Sequence, residues 1–137
     1  MRTAVVVLLL LTGVAACTGP ADPSVTGFVE LGTLRGKAPA TTELTGDNGD
    51  ATYQALRQAF AKDVEPAREL LTRPRPGGTR TFAFVEPGCV ENGAKPVVED
   101  DVVDVRLTGG ENTNCAQANY FLVTVTAEDP QNRLRLR

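Results

Sequence analysis

Apolar and polar positions follow three different rhythms along this chain. A nearly unbroken apolar run, Ala4 to Leu11, opens it and passes into the small residues Thr12-Gly13-Val14-Ala15-Ala16. Next, Val25, Phe28, Val29, Leu31 and Leu34 give residues 25–34 the chemistry of a first strand, weakened by Gly27 and Gly32. Residues 35–50 carry Gly, Thr and Asp without rhythm and read as loop and turn, with Asp50 placed to cap a following helix. From Ala51 the period becomes helical: Tyr53, Leu56, Phe60, Val64, Ala67 and Leu71 recur at spacings of three and four on one stripe. Pro66 interrupts it, because proline has no N–H to bond one turn back. The pattern predicts one bent helix or two short ones over residues 51–72.

Thr72-Arg73-Pro74-Arg75-Pro76-Gly77-Gly78-Thr79-Arg80 follows as a breaker-rich linker with three arginines, either a solvated connection or a contact for anionic partners. Beyond it the rhythm is that of strands. Thr81–Val85 is a short apolar strand closed by Pro87-Gly88. Val103, Val105 and Leu107 alternate with Asp104 and Arg106, and Phe121, Val123 and Val125 share one face of a strand over residues 120–126. Leu134 and Leu136 alternate with Arg133, Arg135 and Arg137 in an edge segment whose charges discourage sheet-to-sheet pairing. Half-buried alternation suits antiparallel pairing. The expectation is an α+β domain: a small antiparallel sheet or sandwich packed by one bent helix or two short helices, with one disulfide.

The first seventeen residues carry an address. One basic residue, Arg2, a short apolar middle and a small-residue exit are the parts of a secretory signal peptide. The apolar run is shorter than the ~20 residues a membrane-spanning helix needs. Val14-Ala15-Ala16-Cys17 resembles the bacterial lipobox, an aliphatic residue and two small ones before a cysteine. The resemblance implies a signal peptide over residues 1–16 and a diacylglycerol on the Cys17 thiol. It also implies anchoring at the extracytoplasmic face of the cell membrane; an ordinary signal peptide cut after Ala16 is the alternative. Acyl chains in pairs are what stable attachment requires. Residues 17–24, with two prolines and a glycine, would be a tether, and residues 25–137 a single domain.

The remaining composition narrows the chemistry. With Cys17 lipidated, Cys89 and Cys115 are the cysteines left in an oxidising compartment, and cysteine arithmetic pairs them. The chain has no histidine, which excludes Cys/His metal sites and Cys–His catalysis, and its one serine, Ser24, lies in the tether. The formal charge of −3 gives no basic face for nucleic acid. Arg outnumbers Lys, and Ala, Val, Gly, Thr and Pro abound, as in the small lipoproteins of high-GC actinobacteria. Residues from Asp47 onward miss the EF-hand template, with Gly49 third, Thr52 sixth and Gln58 twelfth. The densest polar run, Glu99-Asp100-Asp101 with Asp104, reads as a solvated β-turn that could hold a hard cation weakly.

No catalytic set, cofactor site or metal site emerges. The expected function is a non-catalytic binding module, anchored in the membrane through Cys17, that contacts another envelope protein or a cell-wall component. Its contact surface would be the Gly-rich loop 108–114, the Arg-Pro linker, or an exposed patch near Tyr120. The competing expectation is an envelope hydrolase using Asp100, Asp101 or Asp104, which requires these carboxylates to converge on a pocket.

Overall fold

A computed structural model describes residues 22–137; Cys17 and the residues of the expected signal peptide lie outside the described residues. The chain forms β1 (Ser24–Gly32), β2 (Thr42–Leu44), α1 (Gly49–Ala59), α2 (Glu65–Thr72), β3 (Thr79–Gly88), β4 (Gly93–Glu99), β5 (Val102–Thr108), β6 (Asn119–Glu128) and β7 (Arg135–Leu136). A four-stranded antiparallel sheet runs β1-β6-β3-β2, and a three-stranded sheet runs β4-β5-β7. The α+β class and its two short helices are as the sequence pattern predicts.

The large sheet is the middle of three layers. Ala83 and Leu122 on one of its faces pack with Tyr53, Leu56, Phe60, Val64, Ala67 and Leu71, so the whole helical stripe is buried there. Phe82, Phe84, Val123 and Val125 on the other face pack with Val103 and Leu134 of the small sheet's side. Residues 121–125 are therefore buried without a break. The expected one-faced alternation of this strand needs correction, because a central strand covered on both faces buries both sets of side chains.

Other departures have local reasons. β1 begins at Ser24, one residue inside the expected tether, and ends at Gly32, whose φ of 82° suits glycine. β2 lies in what reads as loop; its three residues show no alternation, yet Leu44 is buried beside β3. Asp50 is not the cap of α1. Asn48 holds that position, and its side chain accepts from the Thr45 N–H (2.8 Å) and donates to the Glu43 carbonyl (2.8 Å), closing the preceding turn. Asp50 sits in the first turn, where a carboxylate still meets the positive end of the helix. Pro66 lies in the first turn of α2, where its missing N–H costs nothing.

β4 also escapes sequence reading, because Pro96 argues against a strand. It is tolerated because β4 is an edge strand and Pro96 sits opposite Val105 in a pair that exchanges no ladder hydrogen bonds, so its missing N–H faces the open side. β7 pairs with β5 in parallel, against the antiparallel expectation, because the chain crosses from β5 through β6 before it returns.

Candidate functional site

Of the three acids proposed from sequence, Asp100 and Asp104 line one groove and Asp101 does not. Asp100 and Asp101 form the tip of the β4–β5 hairpin with φ of 51° and 63°, the left-handed pair of a tight turn. The Asp101 carboxylate points to Arg133 (3.5 Å) at an exposed ion pair. Asp104 accepts from the Val105 N–H with one oxygen and lies 3.9 Å from the Arg137 guanidinium with the other. Asp100 and Asp104 line a groove of about 500 Å³ on the small sheet, together with Glu99, Arg106 and Arg137. Among the described residues, no cluster of three or more cysteine and carboxylate side chains is placed to hold a metal ion.

Asp104 also shares a second cavity with Glu86. Both line a cleft of about 340 Å³ between the sheets, with Thr41, Phe84, Val103 and Arg137. Burial, and then the negative charge of Asp104, push the Glu86 carboxyl above the usual carboxylate range. Sequence reasoning missed Glu86 as a site residue, although the signal is present: Phe82, Phe84 and Glu86 alternate on one face, which sends Glu86 into the inter-sheet space.

Cys89 and Cys115 are bridged, with Cα atoms 5.7 Å apart, as the cysteine count predicts. The bridge follows Gly88, which pairs with Asn119, and so ties together the loops leaving β3 and entering β6. Residues 111–118 are exposed throughout. The loops are held by the Glu91 carboxylate on the Cys89 N–H, by Glu111 on the Gly109 N–H (2.9 Å) and by Asn92 N–H on the Thr108 carbonyl (3.1 Å). Tyr120 is no exposed patch. It is half-buried against Phe60, ring centroids 5.6 Å apart, and among the described residues the exposed large apolar side chains are Val90 and Val98.

The Arg-Pro segment is neither one linker nor uniformly solvated. Arg80 belongs to β3, where its side chain is 16% exposed and forms ion pairs with Glu43 and Asp129. Arg73-Pro74-Arg75-Pro76 lies over the helix face of the large sheet and, with Leu70 of α2, closes a cavity of about 220 Å³ against Thr26, Thr81, Thr124 and Thr126. Arg75 donates to the carbonyls of Leu71 (2.7 Å) and Thr45 (3.1 Å), and burial lowers its pKa.

No protein-family model, curated protein or solved structure matches this chain.

Proposed function

We propose that this chain is an envelope lipoprotein, held at the extracytoplasmic face of the cell membrane by lipid on Cys17. Its domain is a non-catalytic module that binds another envelope protein or a cell-wall component. The observation that carries this reading is the polarity of the large sheet. Ser24 pairs with Thr126 at one end; Gly32 pairs with Tyr120, and Gly88 with Asn119, at the other. An anchor at Cys17 joins the domain at the Ser24 end. The disulfide-tied loops then stand a strand length farther out, roughly 30 Å for the ten residues of β3. Exposed loops pinned to a rigid scaffold bind without a large ordering cost.

The test has two arms. Intact-mass analysis of protein extracted from membranes is expected to show a chain beginning at Cys17 with added diacylglycerol, and Cys17→Ser is expected to abolish both the lipid and cleavage before residue 17. A photo-crosslinker at Asn114 is expected to capture an envelope component in intact cells, and one at Gln131 is not. Lipid-free protein would end the anchoring reading, and equal labelling at both positions would end the outward-loop reading.

Carboxylate chemistry is the second reading, and the observation favouring it is Glu86, raised in pKa and sharing a cleft with Asp104. It stands if the purified protein hydrolyses cell-wall glycan and both Glu86→Gln and Asp104→Asn abolish turnover.

A further inference from the structure

We infer that the threonine cavity beneath the Arg73–Pro76 segment is a phosphate site, occupied by the phosphate of an anionic lipid headgroup in the membrane that holds the anchor. The placement rests on the lipid anchor proposed above; the chemistry of the cavity does not. Thr26 from β1, Thr81 from β3, and Thr124 and Thr126 from β6 bring four hydroxyls together. Thr81 and Thr126 meet at 2.9 Å, Thr26 and Thr126 at 3.1 Å, and Thr26 and Thr124 at 3.3 Å. Each hydroxyl has one proton to donate, so three mutual bonds leave one of the four protons for a ligand oxygen or the weakly placed Thr124 carbonyl at 3.4 Å. The volume of about 220 Å³ exceeds the ~30 Å³ share of one water several-fold, which leaves space for a small oxyanion and its solvent.

The charge around the cavity has one sign. Two arginines line it and no carboxylate does, in a chain whose net charge is −3. Arg73 reaches Glu69 (3.2 Å) across an exposed ion pair, which leaves it available at little cost. Arg75 is half-buried and has no carboxylate partner among the described residues; carbonyl oxygens orient its guanidinium without neutralising it. An oriented, partly desolvated guanidinium beside the one remaining hydroxyl proton is a phosphate-binding combination.

Position supplies the source of the phosphate. Ser24 and Thr26 are two residues apart at the start of β1, so the cavity lies near the end of the sheet where the chain would emerge from its anchor. Residues 17–23 span at most roughly 25 Å when fully extended. A tether of that length leaves the cavity within reach of the headgroups, with the disulfide-tied loops pointing away. A phosphate held there would turn a loosely tethered domain into one with a fixed orientation.

The experiment uses the full lipidated chain, reconstituted in vesicles of phosphatidylcholine and in vesicles that also contain phosphatidylglycerol. Amide hydrogen exchange over residues 72–81 and 124–126 is expected to slow in the second and not in the first. That protection is expected to disappear in Arg75→Gln and in Arg73→Glu, the latter an exposed position whose only ion pair is weak. Inorganic phosphate added to the chain in detergent is expected to protect the same amides. Protection by inorganic phosphate without protection by phosphatidylglycerol would overturn the headgroup assignment in favour of free phosphate. Protection by neither, or protection surviving both substitutions, would overturn the site. Vesicle flotation reads the anchor separately: a chain that does not float refutes the anchor, and the phosphate titration still decides the cavity.

Discussion

The Arg80 guanidinium meets Glu43 twice, through Nε and one terminal nitrogen at 2.8 Å each, and uses its other terminal nitrogen on Asp129 (2.7 Å) and the Leu134 carbonyl (2.7 Å). Its carbon stands 5.1 Å from the centroid of the Phe82 ring. The Asp129 side chain has no exposed surface and also accepts the N–H groups of Arg133 (2.9 Å) and Leu134 (2.8 Å). One side chain thus joins β2, β3 and the segment leading into β7. Removing one partner of such a buried pair leaves the other charged and unpaired, a loss of about 3–5 kcal/mol. Arg80→Met should destabilise the domain by that amount in urea denaturation; a loss under about 1 kcal/mol would mean that the network contributes little. Residue order hides this role, because Arg80 follows two prolines and two glycines and looks like part of a linker. The alternation of Arg80 with Phe82 and Phe84 was the available signal.

At the scale of elements, close approach between the two helices depends on Gly49, the first residue of α1. A β-carbon there would collide with the backbone carbonyl of Leu71, near the end of α2, which no rotamer change can relieve. Gly49→Ala should therefore cost about 1–3 kcal/mol despite alanine's better helix propensity. Gly36→Ala, where nothing lies within 4 Å, should be close to neutral. Thermal melts of the two variants decide it, and equal melting temperatures would refute the packing argument. Among the strands, β5 shows how a short neighbour is managed. β7 pairs with Val102 and Val103 only, and beyond them the Asp104 carboxylate takes the Val105 N–H, blunting the edge against another chain.

Across the whole molecule, carboxylates of opposite tendency set the response to pH. Pairing with Arg80 holds the Glu43 carboxyl below its ordinary 4.5. Burial alone would raise Asp129, but the Arg133 and Leu134 N–H groups and Arg80 outweigh it and hold the carboxyl below 3.8. These two stabilise the fold above their ordinary values, and that stabilisation is lost as pH falls through their folded values. Glu86 runs the other way: its contribution is present below 4.5 and is lost as pH rises through its raised value. Urea unfolding across pH should show stability falling steeply in acid, a slope that Arg80→Met flattens. Glu86→Gln should be more stable than the parent near neutral pH, with the advantage shrinking in acid. An advantage unchanged by pH would show that the fold does not disfavour the ionised form of Glu86.

What the amino-acid order determined by itself is what depends on near neighbours. The helical stripe from Tyr53 to Leu71, the second helix that Pro66 helps to begin and the alternation in β5 are signals carried by contiguous residues. The Cys89–Cys115 pairing follows from counting, once the lipobox resemblance removes Cys17 from the pool. The turn at Asp100-Asp101 was also legible, because consecutive aspartates tolerate left-handed backbone better than most residues. The tertiary structure decided everything that depends on which surfaces meet. It buried both faces of β6, made strands of the unpromising Thr42–Leu44 and of the segment around Pro96, and set β7 parallel to β5. It also brought Glu86 into one cleft with Asp104 of the acidic run, and gathered four threonines from three strands under two arginines. Those groups lie far apart along the chain, and local periodicity has no term that relates them until the sheet brings them together.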